Sequence, residues 1–315
     1  MTIPATSLFG TIASNGTSIY RWEAQFTVWA QGPSQTEQEK CDRAATAIKK
    51  AILNDPTLSK RSVAVFAQGS YRNRTNIKLD SDVDVCVRCD DFFFADYPAG
   101  MTQESFGNIT VDYTYKQFKN EVEIALVNYF GRAAVKRGNK AFDIHENSYR
   151  VDSDAIPTFQ YRRYNLRSDG THWIDYGVKL YPDNGGCIIN WPEQNYQNGV
   201  TKRTNTKLRY KRIIRILKNL RNHMQSKGIP AAKNVASFLI ECLAWNAPDS
   251  LYGNSRLSED VEGILEWLSV QTSTDGLCQE WGEVNELKYL FRPAQPWTRQ
   301  QANNFVVASL VYLRS

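Results

Sequence analysis

Apolar residues recur every three to four positions in three stretches of the chain, a spacing that predicts helices. The first runs from about residue 19 to residue 50 and is broken just before Ser34, which together with Glu37 has the spacing of an N-terminal capping box. The second runs from Tyr115 to Arg137, and the third begins near Lys202 and continues to the C-terminus. The sequence therefore predicts helices at both ends of the chain and one in its middle.

Shorter runs rich in β-branched and aromatic residues predict strands on either side of the middle helix. Two of these runs are separated by Ala155-Ile156-Pro157, and two by Ser168-Asp169-Gly170, which predicts a hairpin turn. The predicted strands cover residues 62–67, a segment that begins at Asp82, and residues 141–146, 148–154, 158–164 and 172–180.

These patterns predict an α+β fold in three regions. Residues 1–60 form an N-terminal helical segment that packs on the rest, residues 61–190 a mixed sheet with helices, and residues 191–315 a linker followed by a helical domain. A chain of 315 residues is long enough for such a two-lobed molecule.

Composition excludes secreted and membrane-spanning classes of protein. Apolar residues make up 42% of the chain, but no run is long enough to span a bilayer, and Met1–Gly16 lacks the basic start and apolar stretch of a signal peptide. The six cysteines are scattered and several lie in apolar patterns, which predicts free thiols in a core. We therefore expect a cytoplasmic protein with no membrane partner.

A glycine-serine turn precedes two aspartates by about a dozen residues. The turn, Gln68-Gly69-Ser70, follows the first predicted strand; glycine lets the backbone approach a phosphate, and Ser70 offers a hydroxyl. Asp82 and Asp84 flank one residue of the next strand, so their carboxylates project from the same face. Like charges this close require cations, and Mg²⁺ prefers such oxygen ligands. The motif predicts a site for a nucleoside triphosphate and two metal ions.

A third carboxylate lies on a later predicted strand. Asp152 and Asp154 are both candidates, because residues two apart share one face of a strand and spacing does not choose between them. The order of strand, glycine-serine turn, short helix, aspartate strand and third carboxylate is the order that a polymerase-β-like palm requires.

The chain resembles the cGAS/DncV-like nucleotidyltransferases, which make cyclic oligonucleotides in the antiphage systems called CBASS. The resemblance is carried by Gln68-Gly69-Ser70-Tyr71, Asp82-Val83-Asp84 and Asp154-Ala155-Ile156-Pro157. In that family the third carboxylate precedes two hydrophobic residues and a proline, which selects Asp154.

The resemblance extends into the predicted helical domain and covers the chain from about Ser62 to Glu241. Residues 214–218 are similar to the family's helix that carries a triphosphate-binding lysine, here Lys218. Residues 236–241 are similar to an element whose serine, here Ser237, contacts phosphate, although Ala236 replaces the usual proline.

The resemblance implies a nucleotidyltransferase palm, a C-terminal helical lobe and an active site in the cleft between them. Asp82, Asp84 and Asp154 are expected to hold two Mg²⁺ ions, for which Mn²⁺ can substitute, while Gln68, Gly69 and Ser70 position the phosphates of the nucleoside triphosphates. A ribose hydroxyl then attacks the α-phosphate and pyrophosphate leaves. The expected product is a cyclic oligonucleotide, with a cyclic dinucleotide favoured, that a downstream effector protein senses.

Basic residues crowd one interval of a chain whose net charge is only +5. No acidic residue occurs between Glu193 and Glu241. Within this interval Arg215 and Lys218 lie opposite the apolar stripe of a predicted helix, where they either bind the triphosphate or form a solvated basic face. The other basic residues of segment 202–233 form a candidate footprint for an activating RNA.

The predicted linker, residues 190–199, is similar to the lid of clade E (CdnE-like) members, some of which read uracil with an asparagine. An amide suits that task because its donor and acceptor match the N3-H and O4 of uracil. Asn198 fits best and Asn195 next, which favours a pyrimidine in the product, while an asparagine before Gly199 is also typical of a turn.

Two other functions share parts of this pattern. An RNA-directed, template-independent nucleotidyltransferase of the poly(A) or CCA-adding type has the same palm. A nucleic-acid-binding module with a degenerate palm needs no activity, but the three acidic positions and the glycine-serine pair are intact here.

Overall fold

The structure is a computed structural model that describes residues 19–77, 82–145 and 151–315. The chain divides into two compact units: a sheet unit, Pro33–Glu193, and a helical unit that combines the residues up to Gly32 with Gln194–Ser315. The boundaries predicted from the sequence lay after residues 60 and 190. The structure instead divides the N-terminal region at the break before Ser34, so its two helices belong to different units.

The described part of the sheet unit contains a mixed sheet of seven strands. Its main path runs in the order β1-β2-β5-β4-β3, and β6 joins β5 to β7. The central pair β2 and β5 is parallel, and the other pairs are antiparallel. The strands are β1 (Val63–Ala67), β2 (Val83–Asp96), β3 (Val135–Arg137), β4 (Phe142–Ile144), β5 (Ser153–Leu166), β6 (His172–Leu180) and β7 (Ile188–Asn190).

Within the described residues, three α-helices accompany the sheet: α2 (Gln35–Leu53), α3 (Gly69–Asn73) and α4 (Tyr115–Phe130). The predicted capping box of α2 is present, because the Ser34 hydroxyl accepts from the Glu37 N-H and the Glu37 carboxylate accepts from the Ser34 N-H. The long helices α2 and α4 share one hydrophobic core with the strands. One face of the sheet therefore packs against these two helices.

Helix α4 is shorter than its apolar pattern predicts. It ends at Phe130, because Gly131 has φ +84°, a conformation that stops a helix. Residues 135–137, predicted to be helical, instead form the edge strand β3. The prediction of one helix to Arg137 was wrong at this end.

Strand β5 is continuous through Pro157, whereas the sequence predicted two strands separated there. The Pro157 carbonyl accepts a hydrogen bond from the Tyr115 hydroxyl (3.0 Å), so it points away from β2. On that side β4 pairs only as far as Ala155 and β6 begins only at Phe159. The missing N-H of the proline therefore falls where no neighbouring strand needs a donor.

The helical unit packs around its own core, which includes the predicted apolar stripe of Ile213, Ile216, Leu217, Leu220 and Met224. Its helices are α1 (Glu23–Trp29), α5 (Pro192–Asn205, whose first two residues belong to the sheet unit), α6 (Tyr210–Ser226), α7 (Ser237–Asn246), α8 (Leu257–Gln271), α9 (Asp275–Cys278) and α10 (Arg299–Arg314).

The predicted linker at residues 190–199 is mostly helix, and the division between the two units falls within it, after Glu193. Helix α5 begins at Pro192, a residue suited to the first helical position, with Glu193 in the first turn, where an acidic side chain is favourable. All six cysteines are free, and all but Cys187 are buried. Among the helices of the described ranges, none has the length and apolarity needed to cross a membrane.

Candidate active site

The register of the central strands sets carboxylates side by side. Asp84 on β2 pairs with Asp154 on β5, and Asp154 pairs in turn with Asp143 on β4. Paired residues of adjacent strands project from the same face of a sheet. The three carboxylates therefore form a row across three strands, and Asp82 immediately precedes β2 at the same end. Long-range strand pairing, and not local sequence, builds this row.

Mutual repulsion and burial change how these carboxyl groups ionise. Burial, followed by the nearby charges of Asp154 and Asp82, raises the pKa of Asp84 to about 6. Burial also raises the pKa of Asp154, with further contributions from Asp143, Asp82 and Asp152. Oxygen-only ligands that repel one another fit a hard divalent cation, which would relieve the repulsion. These residues therefore fit the metal that the sequence predicted.

The glycine-serine turn lies directly against this row. The Gln68 N-H donates to the Asp84 carbonyl (2.8 Å), which ties the turn to β2. Gly69 has φ +66°, and a Cβ atom added to it would lie 2.2 Å from Oδ2 of Asp84. No larger residue fits there without moving the carboxylate. Ser70 follows as the second residue of α3.

The two candidates for the third carboxylate both lie near Asp143 but differ in their other partners. Asp154 is the register partner of Asp84. Asp152 instead lies with Asp143 and His145, and the ligand atoms of these three side chains are all within 4.8 Å of one another. The structure therefore favours Asp154 as the companion of Asp84.

Asp143 did not enter the predicted site. The alternation of Phe142, Asp143 and Ile144 predicts a strand with Asp143 on its polar face. The strand pairing that brings it beside Asp154 is long-range, and no local pattern reports it.

In the helical unit the predicted phosphate-binding side chains are partly or fully buried. Lys218 is only 2% exposed, and its ammonium donates to a carboxylate oxygen of Glu241 (2.7 Å). Arg215 donates through Nε to the Ala30 carbonyl (2.7 Å), and burial lowers its pKa to about 10. The Ser237 hydroxyl accepts from Arg221 (3.0 Å). The solvated basic face that was the other interpretation of this helix is therefore wrong at these positions.

The two asparagines of the lid both lie on α5 but differ in their hydrogen bonds. The Asn198 amide donates through Nδ2 to the Val284 carbonyl (2.8 Å). Oδ1 of Asn195 is buried, and no described residue donates to it. An acceptor left in this way costs free energy unless a ligand or water satisfies it.

Comparisons with known proteins agree with this geometry. Residues 197–314 match the family model of the cGAS/DncV-like nucleotidyltransferase C-terminal helical domain. A cyclic dipyrimidine nucleotide synthase CdnE of Legionella pneumophila is 42% identical over 295 residues, which cover 93% of this chain and 98% of the relative. The synthase of the same name from Cecembia lonarensis is 40% identical over 286 residues, covering 90% and 96%.

A solved structure shows the same fold. The Rhodothermus marinus CdnE c-UMP-AMP synthase with Apcpp and Upnpp superposes with a TM-score of 0.79 at 30% identity, covering 92% of this chain and 95% of that one. Identity of 40% or more to two relatives over nine tenths of the chain, together with the carboxylate row and the glycine-serine turn, establishes the family. The chain belongs to the cGAS/DncV-like nucleotidyltransferases and is a CdnE-like member of them.

Proposed function

We propose that this enzyme uses divalent metal ions to join two nucleoside triphosphates into a cyclic dinucleotide, and that at least one of the two bases is a pyrimidine. The observation that carries the proposal is the row of Asp84 and Asp154 packed against Gly69. The base preference is supported by the two relatives of 40% identity or more, both of which are cyclic dipyrimidine nucleotide synthases.

In the sheet unit, the aspartates and the glycine-serine turn have different proposed roles. Asp82, Asp84 and Asp154 would hold two Mg²⁺ ions, with Mn²⁺ as a substitute; bound Mg²⁺ lowers the pKa of the attacking ribose hydroxyl and stabilises the departing pyrophosphate. Gln68 fixes the turn on β2, so that Gly69 and Ser70 can position phosphate oxygens close to the carboxylates. No side-chain nucleophile is needed.

In the helical unit we propose Lys218, Arg215 and Ser237 as ligands of the triphosphate. The support for these ligands is the resemblance of residues 214–218 and 236–241 to the family's phosphate-contacting elements. We further propose that an effector protein senses the product, and that the basic segment 202–233 is the surface at which an RNA would act if the enzyme is activated by one. The buried free thiols suit a reducing compartment, so we place the enzyme in the cytoplasm.

An RNA-directed nucleotidyltransferase is the less favoured alternative, because relatives over nine tenths of the chain are cyclic nucleotide synthases.

A pair of neighbouring substitutions tests the proposed chemistry. Asp154→Asn should reduce Mg²⁺-dependent pyrophosphate release from nucleoside triphosphates by about 100-fold or more, whereas Asp152→Asn should retain most of it. Equal losses in the two variants, or full activity of Asp154→Asn, would contradict the assignment of Asp154.

The orphaned acceptor of Asn195 also makes a base-reading prediction. We expect Asn195→Ser to reduce incorporation of UTP relative to purine nucleotides by roughly tenfold, because one buried hydrogen-bond pair is worth about 1 to 3 kcal/mol. Asn198→Ser is the matched variant, because the Asn198 amide already donates to the Val284 carbonyl. A larger loss of UTP incorporation in Asn198→Ser than in Asn195→Ser would assign base reading to Asn198. Product composition from an equimolar mixture of the four nucleotides measures both. If both variants keep the parent's base ratio, helix α5 does not read the base.

A further inference from the structure

The helix that carries Ser70 is too short to hold its own position. Helix α3 has only five residues, whereas isolated helices shorter than about 12 residues are marginal in water. The side chain of its N-cap residue, Gln68, makes no capping hydrogen bond within the described ranges. Its C-cap residue, Arg74, has φ +54°, which is unfavourable for a residue with a Cβ atom. The position of Ser70 therefore depends on contacts between α3 and other elements.

Tyr71, the residue after Ser70, makes such a contact. Its side chain is only 8% exposed and packs in the core of the sheet unit. Its hydroxyl donates to the carboxylate of Asp42 (2.5 Å) and accepts from the amide of Gln38 (2.7 Å). These two partners lie one turn apart on α2. One hydroxyl thus joins the helix of the glycine-serine turn to a long helix of the same unit.

The environment of Tyr71 keeps this hydroxyl in its donor form. Burial, followed by the hydrogen bond to Asp42, raises the pKa of the phenol well above its ordinary value of 10. Asp42 itself is exposed on the surface of α2. Water can therefore hydrate the carboxylate when the phenol is removed, so loss of the hydroxyl does not leave a buried unpaired charge.

The turn is attached to two different elements. The N-H of Gln68 donates to a carbonyl of β2 (2.8 Å) at the start of the turn, and the Tyr71 hydroxyl binds α2 at its end. Ser70 lies between the two attachments, so its orientation depends on both. Arg72 adds an ion pair with Glu193, but the Glu193 side chain is about half exposed, and ion pairs of this kind contribute little.

We propose that Tyr71 is a positioning residue for nucleotide transfer. Its hydroxyl, held by Asp42 and Gln38, fixes α3 so that the glycine-serine turn presents its N-H groups and its hydroxyl to the phosphates. Tyr71 acts through the turn and contacts no phosphate itself. The inference rests on the proposed function, because it concerns the turn that we propose as the phosphate-positioning element.

Hydrogen exchange tests the attachment without metal or substrate. Tyr71→Phe removes the hydroxyl and keeps the ring in the core. The amides of Arg74 and Thr75 donate to backbone carbonyls of α3 (3.1 and 3.0 Å). In the full chain in EDTA we expect these amides to exchange about fivefold faster in the variant, because a lost hydrogen bond lowers the free energy of local opening. Unchanged exchange in this segment, measured by mass spectrometry, would overturn the inference.

Steady-state pyrophosphate release with Mg²⁺ tests the effect on the reaction. Tyr71→Phe should lower kcat by about tenfold and change the KM for nucleoside triphosphates by less than about twofold. The reason is that a looser turn can still close on a phosphate but is correctly placed for less of the time. A change in KM with an unchanged kcat would contradict a positioning role.

Variants of Asp42 show whether the hydrogen bond itself is responsible. Asp42→Leu should lower kcat as Tyr71→Phe does, and the double variant should lose no more than either single variant, because both remove one interaction. Asp42→Asn keeps an acceptor for the phenol and should retain most of the parent's kcat. Losses that multiply in the double variant would show that the two residues act independently and would overturn the inference.

Tyr113→Phe is the matched control. The Tyr113 hydroxyl also donates to a carboxylate on a long helix, that of Glu121 on α4 (2.6 Å), and its ring packs on the same core. We expect a similar change in melting temperature, but the parent's kcat and the parent's exchange in α3. If Tyr113→Phe lowers kcat as much as Tyr71→Phe does, the loss follows general stability, and Tyr71 does not position the turn.

Failure of this inference can be told apart from failure of the proposed function. An enzyme that extends RNA also releases pyrophosphate, so the kinetic comparison does not require a cyclic product. A parent that releases no pyrophosphate would contradict the proposed function, while the exchange measurement would still decide whether Tyr71 holds the turn.

Discussion

Gly69 is the residue on which the geometry of the site depends most directly. Gly69 has φ +66°, a conformation that other residues rarely adopt. A Cβ atom added to it would lie 2.2 Å from Oδ2 of Asp84, so there is no room for a side chain. We expect Gly69→Ala to displace the Asp84 carboxylate and to lower kcat by about 100-fold, as misplacements of about an ångström do. Gly100→Ala is the control, because Gly100 has φ +79° but no atom within 4 Å of the added carbon. Equal activity losses in the two variants would show that close approach to Asp84 is irrelevant.

The carboxyl group of Asp84 makes a prediction about stability. Its pKa of about 6 lies above the ordinary 3.8, so the metal-free protein loses stability as the pH rises from about 4 through 6. The loss is at most about 3 kcal/mol. Asp84→Asn removes the charge, so in EDTA we expect a higher melting temperature than the parent at about pH 8, with a difference that narrows as the pH falls toward about 4.

Thermal denaturation with and without Mg²⁺ measures both effects. Mg²⁺ should stabilise the parent at about pH 8 and should stabilise Asp84→Asn much less, because the variant lacks a ligand. A variant that melts below the parent at that pH in EDTA would contradict the repulsion inferred among Asp84, Asp154 and Asp82.

Individual residues of the site were predictable where local spacing carries the information. The glycine-serine turn and the pair Asp82 and Asp84 follow from strand alternation and turn chemistry. The choice between Asp152 and Asp154, and the presence of Asp143, depend on which strands pair and in which register. Packing between residues far apart in the sequence decides that pairing, and the spacing of residues along one strand does not predict it.

At the scale of elements, Lys218 on α6 forms an ion pair with Glu241 on α7. Substitutions in this pair can distinguish a role in stability from a role in substrate binding. Both side chains are nearly fully buried. We expect Lys218→Ala to destabilise the protein by about 3 to 5 kcal/mol, because it removes the cation that pairs with the buried Glu241 carboxylate. The double variant Lys218→Met with Glu241→Leu should recover most of that stability, since an apolar pair avoids the desolvation of both ions.

The same double variant tests whether Lys218 binds the triphosphate. If it does, the stable double variant should have a KM for nucleoside triphosphates about tenfold or more above that of the parent, with a smaller change in kcat. Chemical denaturation and steady-state kinetics measure the two effects. A double variant that is stable and has an unchanged KM would leave Lys218 with a structural role alone.

Elements were predictable from the sequence where a local signal marks their ends. The capping box at Ser34 fixed the start of α2, and the turn at Ser168-Asp169-Gly170 joins β5 and β6 as expected. The strand prediction was wrong at Pro157, because a proline fits inside β5 only where no neighbouring strand needs its N-H. That condition is met by the gap between β4 and β6, which local sequence does not show. Residues 190–199 were predicted as a linker from their similarity to the family's lid, and Pro192 and Glu193 mark the start of the helix that the segment contains.

At the scale of the whole molecule, the family fold and the site account for the same activity. The sheet unit supplies the carboxylate row and the glycine-serine turn, and residues 197–314 match the family's C-terminal helical domain. The central claim is that these parts make a cyclic dinucleotide from free nucleotides. An RNA-directed enzyme would use the same palm on a different acceptor.

The most direct measurement is mass spectrometry of the products that the enzyme forms from the four nucleoside triphosphates with Mg²⁺ and no added RNA. The products are treated with phosphatase first, since a cyclic dinucleotide has no terminal phosphate to lose. We predict a phosphatase-resistant cyclic dinucleotide that contains at least one pyrimidine, and none from the Asp82→Ala/Asp84→Ala variant. Products that are linear only, or nucleotide transfer that requires an RNA acceptor and extends it, would contradict the claim.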